Sequence, residues 1–125
     1  MADTATLPVL DLNVLIAMYG DDSAETITLA LSGFRREATA YVQQLQDAGQ
    51  QNARADTARL CHSLKSMCGL VGATKLMQLC MTLEQAARQQ DQTALQAQLL
   101  NLAEVWPETL AMLNLTLLQH GYADV

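Results

Sequence analysis

His62 and Lys65 are the residues of this 125-residue chain whose types and spacing are best suited to chemistry. They stand three apart in a segment, Asn52 to Gly72, that reads as one helix, so their side chains reach the same small volume. On a wheel of about 100° per residue with Leu60 at the origin, Leu60, Leu64, Met67, Cys68 and Val71 gather on one buried side, with Cys61 at its margin. His62 falls about 200° round, nearly opposite, and the same outward side holds Ala55, Ala58, Ser66 and Gly69. Small neighbours leave the imidazole open to approach. An ammonium one turn away would neutralise the oxygens of a phosphoryl group, or of another small dianion, placed on the ring. The same spacing is also that of a solvated surface pair, and these residues by themselves leave both readings open.

Other chemistries find less support. Cys61 and Cys68 point toward the core and His62 away from it, so they make no metal cluster, and with Cys80 they read as reduced, buried thiols. No glycine-rich phosphate loop or nucleotide motif is present, so neither ATP binding nor autokinase activity is expected. His120, before Gly121, reads as a residue near a helix end that meets free carbonyls, and Trp106 as a core residue.

Composition sets the frame. The formal net charge is −6 and half of the residues are hydrophobic. That balance excludes wholesale disorder and argues against nucleic-acid or anionic-membrane binding. Charge is unevenly placed: Asp3, Asp11, Asp21, Asp22 and Glu25 crowd one end, whereas Arg54, Arg59, Lys65 and Lys75 face only Asp56 between Asn52 and Lys75. With no signal peptide, no long apolar run and thiols inside helical segments, a cytoplasmic protein is expected.

The elements that must position His62 follow from the apolar periodicity. Ala, Leu, Gln, Met and Glu dominate, and β-branched and aromatic runs are nearly absent, which predicts an all-α domain. A leader occupies residues 1–10. Asp11 caps a short helix, Leu12 to Met18, which Gly20-Asp21-Asp22 ends. Ser23 caps a second helix from Ala24 to Asp47 with the stripe Ile27, Ala30, Leu31, Phe34, Ala38, Tyr41, Val42 and Leu45. A loop over Gly49 to Asn52 follows, with Asn52 or Asp56 capping the third helix and Gly72 ending it. Residues 73–89 form a fourth helix with Leu76, Leu79, Cys80, Leu83 and Ala87 inward. Asp91 caps a fifth, whose stripe runs through Leu95, Leu99, Leu102, Trp106, Leu110, Leu113 and Leu117, with a kink expected at Pro107. The four longer helices predict an antiparallel four-helix bundle, with the short N-terminal helix across one end.

The segment His62-Ser63-Leu64-Lys65-Ser66-Met67-Cys68-Gly69-Leu70-Val71-Gly72-Ala73, followed by Leu76, Cys80 and Leu83-Glu84, resembles the histidine-containing phosphotransfer (HPt) domain family of two-component phosphorelays. His62 matches the phosphorylated histidine of that family and Lys65 the lysine that supports the phosphoryl group. Gly69 matches a small position and Gly72 the helix-ending glycine. Weaker similarity, including Gly20-Asp21-Asp22, extends over about residues 11 to 118, which implies a phosphotransfer domain over 11–120 with a C-terminal tail at 121–125. Three departures stand out. Ser66 holds a position usually occupied by glycine, Met67 and Cys68 replace small residues, and Leu70 replaces a commonly polar one. Since the wheel turns Met67 and Cys68 inward, those two changes are expected to alter packing rather than chemistry, whereas Ser66 faces out beside His62.

The resemblance implies a phosphoryl carrier. His62 would take the group from the aspartate of a response-regulator receiver domain, such as that of a hybrid sensor kinase, and pass it to another receiver. The carrier would need no cofactor of its own, since the receiver supplies Mg²⁺. Glu84 falls where family members have Gln or Glu. It could accept the Nδ1 proton of His62 across an antiparallel helix pair and leave Nε2 free, or it could simply contact Lys65. Receiver docking is expected on Ala55, Ala58, Ser66 and Gly69, rimmed by Arg54, Arg59 and Lys65, and the protein is expected to be a monomer. Met1 and the leader favour a free-standing shuttle. A binding module that docks a receiver or kinase without transfer, with Ser66 as the disabling change, is the alternative. A helical homodimer with His62 incidental is a third reading.

Overall fold

The computed structural model of the chain describes residues 6–123. These form five helices and no strand: α1 (Leu12–Tyr19), α2 (Ala24–Gln50), α3 (Arg54–Val71), α4 (Thr74–Arg88) and α5 (Gln92–Gln119). The fold is an all-α helical bundle. α3 packs against α4 and α2, α5 packs against α4 and α2, and α1 lies against α3 and α2. The leucines at helical spacing meet in one interior, where Leu15, Leu31, Leu64, Leu76, Leu83, Leu102 and Leu113 are fully buried. No helix among the described residues is long and apolar enough to cross a membrane.

Three helix starts carry the caps expected of them. The Asp11, Ser23 and Asp91 side chains accept the amides of Asn13, Thr26 and Ala94 at 3.1, 3.2 and 3.1 Å. The start of α3 is different, because neither Asn52 nor Asp56 caps it. Ala53 occupies the cap position without a side-chain bond. Asn52 takes a left-handed turn with φ 54° and accepts the Gln92 side-chain amide at 2.9 Å, while Asp56 pairs with Arg59 at 3.7 Å. The cause lies upstream. α2 continues past Asp47 through Gly49 to Gln50, so the expected loop shrinks to a tight turn in which Asn52 must adopt the left-handed conformation. Gly49 is required there by packing, since a Cβ would sit 2.6 Å from Leu99 Cδ1 on α5.

α5 runs unbroken through Pro107. Both Pro107 and Ala103 are exposed, so the carbonyl that loses its amide partner lies on the solvent side. The buried line along this helix drifts from the leucine stripe. Leu110 is only half-buried, and Val105, Thr109 and Thr116 take interior places because α5 packs against two neighbours. The expected leader (1–10) and tail (121–125) fall partly outside the described residues. Within them, Pro8 accepts the Lys75 amide at 3.1 Å, and Tyr122 packs on the core with the Arg35 guanidinium 5.6 Å from its ring centroid.

The turn between α3 and α4 sets the relation of the two helices. Gly72 ends α3 with φ 81°, its amide donating to the Cys68 carbonyl at 3.0 Å and its own carbonyl accepting the Asp11 amide at 2.8 Å. A Cβ at this position would collide with the Asp11 carbonyl oxygen, a backbone atom that cannot swing aside. Gly72→Ala is therefore expected to cost about 2–4 kcal/mol, combining left-handed strain with overpacking. A urea titration checks this by a lowered midpoint at unchanged slope.

Candidate functional site

The site forms where the outward edge of α3 meets α4. His62 stands on α3 with 60% of its side chain exposed, and its Nδ1 lies 3.3 Å from Oε2 of Glu84 on α4. Glu84 is recessed, only 12% exposed, at the rim of the α3–α4 contact. Lys65 Nζ donates to its Oε1 at 3.1 Å, while Arg88 donates to Oε2 through Nε at 3.0 Å and Nη2 at 2.8 Å. One carboxylate thus gathers a histidine and two cations.

Burial raises the Glu84 carboxyl pKa, but the hydrogen bonds and charges of Arg88 and Lys65 outweigh it and hold the group below the usual glutamate value. Glu84 is consequently ionised at neutral pH and can only accept hydrogen bonds. Its contact with His62 therefore places the ring proton on Nδ1 and leaves the Nε2 lone pair for an electrophile.

Each residue singled out in the sequence can now be placed. His62, Lys65 and Glu84 converge, and Glu84 makes both contacts considered for it. Ser66 is exposed, but its hydroxyl donates back to the His62 carbonyl at 3.2 Å, one turn earlier on its own helix. Ala55 and Arg59 are exposed and Gly69 is half-buried on the outward side of α3. Arg54 Nη1 reaches the Gln92 side-chain carbonyl at 3.3 Å.

Ala58 departs from expectation. It is 4% exposed and offers only its edge to a shallow cleft between Arg54 and Arg88. Cys61, expected at the margin, is fully buried, and Met67, expected inward, is only partly buried. These differences share one cause. The contact of α3 with α4 is its most extensive, which turns the buried side by about 40° on the wheel toward Cys61 and Cys68 and brings Ala58 in. The same turn carries Lys65 to the α4 side, where it meets Glu84.

Arg88 was missed from the sequence, although its i,i+4 spacing from Glu84 is the ordinary signal of a helical ion pair. His120 behaves as read: its Nδ1 lies 2.8 Å from the Thr116 carbonyl near the end of α5. The three thiols are free and buried. Desolvation pushes Cys61 upward, and a hydrogen bond with Cys68 together with burial does the same for Cys80, so both are thiols rather than nucleophilic thiolates. Among the described residues no group of three or more His, Cys, Asp or Glu is placed to hold a metal ion.

An exposed imidazole braced by a carboxylate, with two cations beside it on a helical bundle, defines a protein of the phosphoryl-carrying kind. The chain matches the Hpt domain family model over residues 30–119 and belongs to that family, whose general role is phosphorelay signalling. The match covers most of α2 and all of α3, α4 and α5, and leaves out α1. No curated protein and no solved structure matches the chain.

Proposed function

We propose that this chain carries phosphoryl groups between receiver domains, with His62 as the acceptor. The observation that carries the reading is the ionised Glu84 on the Nδ1 side of an imidazole whose other nitrogen faces solvent. Nε2 would attack the phosphorus of a receiver acyl phosphate in line. The bond from phosphorus to the aspartate oxygen breaks, the carboxylate leaves, and the ring becomes a phosphorylated imidazolium with its Nδ1 proton directed at Glu84. Attack by a second receiver's aspartate reverses these steps and restores the neutral ring.

Lys65 and Arg88 compensate the incoming charge. Both rest on Glu84, and either side chain can turn toward a phosphoryl group on Nε2 without changing rotamer families across the core. Glu84 is a poor Mg²⁺ ligand in this setting, because both of its oxygens are already engaged by cations. A metal used in transfer would accordingly come with the receiver.

The ring of contacts α2–α3–α4–α5 supports reading the bundle as an antiparallel four-helix arrangement with α1 as a short addition. The cations Arg54, Arg59, Lys65 and Arg88 near His62 would steer an acidic partner toward an otherwise negative molecule, with Ala55, Ser66 and Gly69 beneath it. The back-bonded hydroxyl of Ser66 weighs against the binding-only alternative, since it is held on its own helix instead of blocking Nε2.

Two variants test these roles. Ser66→Gly should transfer at least as fast as the wild type, followed as label passing from a phosphorylated receiver. Lys65→Ala should slow transfer about tenfold, because Arg88 remains to supply part of the charge, and should shorten the lifetime of the phosphoprotein. Unchanged rate and lifetime would remove the lysine from the mechanism.

A further inference from the structure

Gly33 has no reason within the chain to be glycine. Gly20, Gly72 and Gly121 take positive φ angles, and Gly49 is pressed by Leu99, but Gly33 sits in the middle of α2 in ordinary helical conformation. A Cβ built there meets only Arg36 Nη2, at 4.0 Å. Glycine is among the poorest helix formers, so its place here is unfavourable for the isolated fold. Around it lies an apolar groove between α2 and α3, floored by Ala30, Gly33 and Met67 and rimmed by Tyr19, Leu29 and Leu70. The rim is exposed, with Leu29 at 68%.

The groove is continuous with the phosphoacceptor edge. His62, Ser66 and Leu70 follow one another at four-residue intervals along α3, which sets Leu70 about 12 Å from His62 along the helix axis, well inside one protein–protein interface. Lys65 and Arg88 flank His62 on the α4 side, and the groove flanks it on the α2 side. A partner that delivers phosphate to Nε2 must cover this edge, and its width brings it over Gly33.

We propose that a receiver domain seats an apolar side chain in this groove against the bare α2 backbone at Gly33, which makes residue 33 a determinant of which receivers dock. This rests on the phosphotransfer reading for its choice of partner. A second copy is the poorer occupant, because a dimer closed over this groove would cover the His62 edge of both chains.

The test uses the full chain and the purified receiver domains of its source organism, each phosphorylated with phosphoramidate. Binding and transfer are measured separately for wild type, Gly33→Leu and Leu29→Gln. Gly33→Leu should keep the wild-type circular dichroism and melt no lower, since the added side chain enters open space. It should bind the preferred receiver at least tenfold more weakly, with the transfer defect recovered at saturating receiver. Leu29→Gln, a change at an exposed position that cannot unfold the core, should weaken binding in the same direction.

Wild-type affinity in both variants overturns the groove as the seat. So does binding of no receiver by the wild type, or sedimentation of the wild type as a dimer that Gly33→Leu dissociates. A receiver that binds in a Gly33-dependent way but transfers no phosphate to the wild type would uphold the groove while removing the phosphotransfer reading.

Discussion

His62→Gln abolishes phosphoryl acceptance and leaves the fold unchanged. The imidazole contributes nothing to the core: it is mostly exposed, and Glu84 keeps Lys65 and Arg88 when the ring is gone. The change in stability should therefore lie within about 0.5 kcal/mol, as for other exposed substitutions. Label from a phosphorylated receiver should fall to background, because the one other histidine, His120, stands at the far end of α5 with its Nδ1 against the Thr116 carbonyl. Acid-labile label surviving in the variant would defeat the assignment of His62.

Glu84 gives the second large effect, and it separates the chemistry from the fold. Glu84→Gln keeps the size of the side chain but loses the charge that fixes the imidazole proton on Nδ1 and balances Lys65 and Arg88. Transfer should slow by about 10²-fold, in the range for a positioned proton acceptor. Stability should change with pH in a defined direction. The carboxyl is held below 4.5 in the folded protein, so above that pH the unfolded chain and the folded chain are both ionised and the ion pairs contribute in full. As pH falls below 4.5 the unfolded chain takes up its proton first, and the contribution declines until the folded carboxyl is protonated as well. The stability difference between wild type and Glu84→Gln should thus be flat at neutral pH and shrink on the acid side. Urea midpoints at several pH values check this, and a difference that grows toward acid would contradict it.

Much of this arrangement is legible in the residues because its causes are local. Asp11, Ser23 and Asp91 are capping residues directly before apolar periodic runs, and each caps as its chemistry requires. Gly72 reads as a helix end because few other residues adopt its conformation, although the collision that makes it indispensable comes from Asp11, far away in sequence. The misreadings have long-range causes. Gly49 looks like a loop residue, yet it continues α2 because Leu99 approaches from α5. The wheel of α3 is centred on its own leucines, whereas its true interior is set by α4, which buries Ala58 and Cys61 and releases Met67. At the site, the His62 and Lys65 spacing marks a common face, but the role of Glu84 depends on how two helices cross. Arg88 could have been found from its spacing to Glu84 alone.

The central claim concerns one nitrogen atom. Protein labelled with ¹⁵N in its histidines, phosphorylated by a receiver and followed by long-range proton–nitrogen and phosphorus NMR, reports which ring atom carries the group. The account predicts a phosphorus coupling to Nε2 of His62 and a proton on Nδ1, with the unphosphorylated ring already in the Nδ1–H form. Phosphorus on Nδ1, on another residue, or on none would contradict it.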